Sequence, residues 1–154
     1  MNQARENYLG NPNLKRANVN QEFTPEQIEE FVKCSQDCVY FIQNYIQIVN
    51  IDEGLVPFNL YDFQEDIVKL VQDERFVICK MPRQSGKTTT IAATLLWYLM
   101  FNESFSIAIL AHKSQQSREI LARISLAYEH LPRWLQLGVV EWNKGNVELE
   151  NGSK

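Results

Sequence analysis

The chain has 154 residues, 45% of them hydrophobic and 22% charged, with a formal net charge of −4. At about 100–200 residues per domain this length allows one ordinary domain, and the composition excludes low-complexity and broadly disordered classes. No apolar run approaches the ~20 residues that cross a bilayer, and Met1–Gly10 has no apolar stretch of the signal-peptide kind, so an intracellular setting is expected.

Residues 1–22 are polar and rich in Asn and Gln, which predicts a loosely ordered arm. Residues 23–58 are expected to form a helical segment. Thr24-Pro25-Glu26-Gln27 is a capping box with Pro at the first helical position, starting a helix to about Lys33. Val39, Ile42, Tyr45 and Ile46 recur at helical spacing and predict a second helix over about 35–46. Cys34, Cys38 and Cys79 fit neither a disulfide framework nor a zinc site, and all three are expected to be reduced and structural.

Gly54 and Pro57 mark a loop, and Leu60, Phe63, Ile67, Leu70 and Val71 then line one face of a helix over about 60–72. At that spacing Phe63 is expected in the core. Arg75–Lys80 is short, β-branched and apolar in the middle, the form of a buried parallel strand. A helix over 87–101, a second buried strand over 105–111 and a helix from about Ser114 to His130, with Ser114 as its cap, complete a strand-helix-strand-helix series. That order predicts an α/β fold with a parallel sheet. Val139–Trp142 and Asn146–Glu150 alternate about Asn143-Lys144-Gly145 and predict a β-hairpin. Asn151-Gly152 is a further turn, expected to lead into a third antiparallel strand. Glu141 and Glu148 are expected on a solvated face of the hairpin.

Charge is divided along the chain. Asp52–Glu74 carries seven acids and one base, whereas Arg75–Arg133 carries eight bases and three acids. A phosphate-bearing ligand, if there is one, would therefore belong in the second stretch. There, Pro82-Arg83-Gln84-Ser85-Gly86-Lys87-Thr88-Thr89 joins the predicted strand to the predicted helix, the context of a phosphate-binding loop. Gly86 lets backbone N–H groups approach a polyphosphate at a helix N-terminus. Lys87 would reach the β- and γ-phosphates, and the Thr88 hydroxyl would join a Mg²⁺ shell. The G-x-x-x-x-G-K-[ST] pattern places its first Gly where this chain has Met81. Arg83 is a second cation in the loop, suited either to the γ-phosphate or to a surface ion pair. His112 and Lys113 fall at the end of the second predicted strand, where open α/β sheets bind ligands, and a solvated loop is the plainer alternative. Arg118 and Arg123 lie five apart and do not share a helical face well.

Arg83–Thr88 resembles the deviant Walker A of the large terminase subunit of contractile-tailed bacteriophages. Segments Tyr40–Tyr45, Leu60–Gln64, Ile109–Lys113 and Val140–Gly145 are similar to that family in the family's order. The family's loop usually dispenses with the Gly missing at Met81. The resemblance implies an incomplete P-loop NTPase fold (RecA-like, ASCE class) over 59–154, with flanking helices, ending before Walker B. It implies ATP and Mg²⁺ as cofactors, Gln64 as the adenine-reading glutamine, Tyr61 and Phe63 near the base, and Arg83 as an arginine finger in cis. Gln84, Ser85, Gly86, Lys87, Thr88 and Thr89 would hold the nucleotide.

By the same resemblance, the full protein would drive double-stranded DNA into a procapsid and cut it with a nuclease domain. It would work as a ring on the portal protein, with the small terminase subunit, in the host cytoplasm and transiently at the portal vertex. Hydrolysis needs carboxylates for the metal and the water, and in the family these end a later apolar strand in Asp-Glu. No such segment follows Thr88, so weak nucleotide binding without turnover is expected of this piece. A helicase-like DNA-dependent ATPase, or an adaptor whose loop holds an anion structurally, are the other classes that share the loop.

Overall fold

A computed structural model of the chain describes residues 6–50 and 52–154, so the first five positions of the expected arm lie outside the described residues. Helix α1 (Pro25–Gln36) starts as its sequence dictates. Gln27 N–H donates to Thr24 Oγ1 at 3.3 Å, and Thr24 N–H donates to Gln27 Oε1 at 3.1 Å. Asp37 interrupts the chain and caps α2 (Cys38–Tyr45), accepting from Tyr40 N–H at 2.9 Å. The helices break at Asp37 rather than near Lys33 because this carboxylate satisfies the new N-terminus. Both helices carry polar faces. Glu30 gathers the hydroxyls of Tyr40 (2.6 Å) and Tyr45 (2.8 Å), which hold its carboxyl below the usual range and push the Tyr40 phenol up to about 12.

Gly54 and Pro57 do not sit in a simple loop. They belong to an antiparallel pair, β1 (Gln47–Asn50) with β2 (Gly54–Pro57). Helix α3 (Asp62–Asp73) follows, then α4 (Lys87–Phe101) and α5 (Ser114–Glu129). Helix α4 is apolar around most of its circumference and is correspondingly the central element, in contact with α2, α3 and α5. Its Trp97 indole donates to the Cys34 carbonyl at 2.7 Å, and Phe31 and Phe41 meet the Phe101 ring edge-on, centroids 5.2 and 5.3 Å away. Cys34 and Cys38 are buried in this core, where desolvation pushes both thiols up to about 12. Cys79, expected as structural with them, is exposed.

The residues of the expected arm that are described, 6–22, are laid against the C-terminal hairpin, β3 (Val139–Trp142) with β4 (Val147–Leu149). Leu14 and Lys15 are buried, Val139 N–H donates to the Lys15 carbonyl (2.8 Å), and Ala17 N–H donates to the Val139 carbonyl (3.1 Å). Leu14 and Tyr8 against the core, a strand edge, and bonds from Arg133 and Gln136 hold a segment whose composition reads as loose. Burial lowers the Lys15 ammonium, whose Nζ is satisfied by Gln21 Oε1 and the Gln136 carbonyl.

The two segments expected as buried parallel strands form no strand ladder in this structure. Phe76 and Leu110 are exposed and Ile78 is 96% exposed. A parallel strand is buried only when neighbours pair both its edges and layers cover both faces, and among the described residues nothing covers 75–80 in that way. The observed sheets are two small antiparallel pairs. Parallel pairing is present only in isolated places among the described residues, at Arg16 with Val139 and beside Lys154. Lys154 N–H donates to the Phe105 carbonyl (2.9 Å) and the Lys154 carbonyl accepts from Ile107 N–H (2.7 Å), two bonds that bracket Ser106 in the parallel manner. The Asn151-Gly152 turn thus passes the chain to residues 105–107 rather than to a third antiparallel strand. Asn151 fixes the turn by donating to the Leu99 and Asn102 carbonyls (2.8 Å each) at the end of α4.

Candidate phosphate-binding loop

Residues 82–89 curl into the start of α4. Gln84 (φ 62°) and Gly86 (φ 76°) both adopt the left-handed conformation, and Gly86 is the N-cap. Thr90 is the first residue of the helix whose N–H meets a backbone acceptor, the Gly86 carbonyl at 3.0 Å. Among the described residues, no side chain caps the N–H groups before it. A helix start with open donors and the positive end of its dipole is suited to an anion.

Two side chains fold over the same turn, and of the two only the ammonium keeps N–H groups beyond the one it uses there. Ser85 Oγ donates to the Pro82 carbonyl at 3.0 Å and Lys87 Nζ donates to the same oxygen at 3.1 Å. The hydroxyl and the ammonium are therefore gathered at one point over the loop. Arg83 and Thr88 are exposed beside them. The ion pairs among the described residues are Glu30 with Lys33 and Glu65 with Lys69, so neither Arg83 nor Lys87 has a carboxylate partner there. The donor set is of the kind that could hold phosphate groups, and the exposed Thr88 hydroxyl could serve a cation beside them.

Gln64 is placed differently from an exposed base reader. It is 2% exposed, its Oε1 accepts from Tyr61 N–H at 3.0 Å, and its Nε2 donates to the Ser85 carbonyl at 3.3 Å. The amide braces the N-terminus of α3 against the loop. Phe63, expected in the core, is 42% exposed and stacks on Tyr61 with ring centroids 5.8 Å apart and 8° between planes. The two rings form an aromatic face beside the braced glutamine.

His112 and Lys113 are exposed immediately before α5, whose first turn Ser114 does not cap through its side chain. Neither residue is brought to the loop by a hydrogen bond or ion pair among the described residues. Glu141 bonds Asn143 and Asn146 within the hairpin. Arg123 does reach the start of α4, donating to Thr89 Oγ1 at 3.2 Å. Thirty-four residues separate the two, and no local sequence pattern signals that contact.

Larger concavities lie elsewhere, including a groove of about 590 Å³ between α5 and the β3–β4 hairpin and a cleft of about 760 Å³ beside residues 7–19, both lined by none of residues 82–89. The loop is recognised by its donors rather than by an enclosing cavity. None of the helices among the described residues is long and apolar enough to cross a membrane.

The family described as terminase large subunit, T4likevirus-type, N-terminal, matches residues 78–154, half of the chain. The match takes in the whole loop, α4, α5 and the C-terminal hairpin, while Tyr61 and Gln64 lie before it. The chain belongs to this family of phage large terminase subunits, and its role is in phage DNA packaging.

Proposed function

We propose that residues 82–89 bind the phosphates of ATP with Mg²⁺, and that this chain supplies nucleotide binding to a motor that translocates double-stranded DNA into a procapsid. The observation that carries the proposal is the pairing of Gly86-Lys87-Thr88 with the uncapped start of α4, over which the Lys87 ammonium and Ser85 hydroxyl converge. Lys87 contacts the β- and γ-phosphates, Arg83 adds a cation at the terminal phosphate, and Gln84, Ser85 and Thr89 line the turn. Thr88 holds the metal, which when bound would neutralise phosphate charge.

Gln64 enters this reading as the brace of the loop. A base contact by its amide requires that brace to open, and the exposed Tyr61–Phe63 face is beside it to receive the base. The pairing of Lys154 with residues 105–107 supports a parallel P-loop sheet that includes the second expected strand. Portal protein and small terminase subunit are the packaging partners this reading assigns to the full motor, and a nuclease domain its cutting activity.

Calorimetric titration of the chain tests the proposal. Mg-ATP is expected to bind at one site, and AMP at least roughly tenfold more weakly, since the loop recognises the β- and γ-phosphates rather than the base. Equal affinity for ATP and AMP would contradict it.

A further inference from the structure

Arg123 projects from the middle of α5 to the first turn of α4, where its Nη1 donates to Thr89 Oγ1 at 3.2 Å. Its side chain is exposed, and among the described residues the ion pairs involve other cations. A guanidinium without a carboxylate thus stands against the third residue of a helix whose opening N–H groups are uncapped. Thr89 and Arg123 themselves line a cavity of about 110 Å³, with Ala92, Ala93, Leu126, Ala127 and residues 46–49 as the rest of its wall.

A hydroxyl has one hydrogen to give and two lone pairs to receive. When Arg123 donates to the oxygen of Thr89, it occupies one lone pair and leaves the hydroxyl hydrogen free. A charged donor polarises that hydroxyl and makes it a better donor to an anion. We propose that Arg123 is a positioning residue for the nucleotide phosphates, acting through the Thr89 hydroxyl; this rests on the nucleotide reading of the loop. Helix α5 thereby contributes a side chain to the first turn of α4.

A double-mutant cycle on Mg-ATP affinity, with urea unfolding of each variant alongside, tests this. Arg123→Ala is expected to raise the dissociation constant roughly three- to tenfold, the scale of one partly solvated charged hydrogen bond. Arg123→Lys is expected to keep most of the affinity, because a single N–H contact does not need the planar fork. Thr89→Val is expected to lose affinity by a similar factor, with Arg123→Ala adding nothing further in the Thr89→Val background. Unfolding midpoints are expected to stay close to that of the wild type. Unchanged affinity in Arg123→Ala overturns the proposal, as does a full further loss in the double variant, or a loss that Arg123→Lys fails to restore and that tracks a lowered midpoint. If the nucleotide reading itself fails, wild type and Lys87→Ala both show no Mg-ATP binding, a result distinct from any of these.

Discussion

Gly86→Ala is expected to destabilise the chain by about 2–4 kcal/mol in urea unfolding and to abolish Mg-ATP binding. Two causes add. Gly86 has φ 76°, a conformation that costs a residue with a Cβ about 1–2 kcal/mol. A Cβ there would also lie 2.5 Å from Gln64 Nε2. A side-chain end can usually swing away from such a clash. Gln64 is buried and held at both ends of its amide, so moving it sacrifices its bonds to Tyr61 and Ser85. Truncating the glutamine separates the two causes. In a Gln64→Ala background, Gly86→Ala should cost only the backbone part, about 1–2 kcal/mol. A cost that is the same in both backgrounds would show that the brace does not constrain the loop.

Lys87→Ala should do the reverse, with little effect on stability and a large one on binding. Its Nζ makes one exposed hydrogen bond, to the Pro82 carbonyl, and has no carboxylate partner among the described residues. Loss of such a contact costs under about 1 kcal/mol of folding free energy. In the proposed site the same ammonium would make charge-assisted bonds to a polyphosphate beside the open N–H groups of the turn. Its removal is expected to weaken Mg-ATP by roughly 100-fold or more, about 3 kcal/mol. Calorimetry and urea unfolding on the same variant distinguish this from general damage. Equal affinity in Lys87→Ala and wild type would remove Lys87 from the site.

The helices were legible because their signals are local. The Thr24–Gln27 capping box, the apolar circumference of 87–101 and the position of Gly86 each depend on residues within a turn or two. The loop was legible for the same reason, as a Gly-Lys-Thr triplet opening a helix. Strand burial was not, since a β-branched run such as Phe76–Cys79 is buried only if another segment pairs with it. Gln64 illustrates the limit for a side chain. Its spacing on α3 marks a polar position, yet its burial arises from the approach of the loop, 21 residues away. Phe63 shows the converse, an apolar residue at core spacing that stacks on Tyr61 in the open. Arg123 was legible only as a charge, and its meeting with Thr89 required the packing of α5 on α4.

Hydrogen exchange on the chain with and without Mg-ATP tests phosphate binding at this turn most directly. The backbone N–H groups of Gly86, Lys87, Thr88 and Thr89 are the donors the site offers, and at ten times the dissociation constant their exchange should slow by roughly tenfold. Protection confined to this turn and to residues bonded to it, including Gln64 and Arg123, is the expected result. Mg-ATP binding that leaves these four amides exchanging as before, while protecting amides elsewhere, would contradict it.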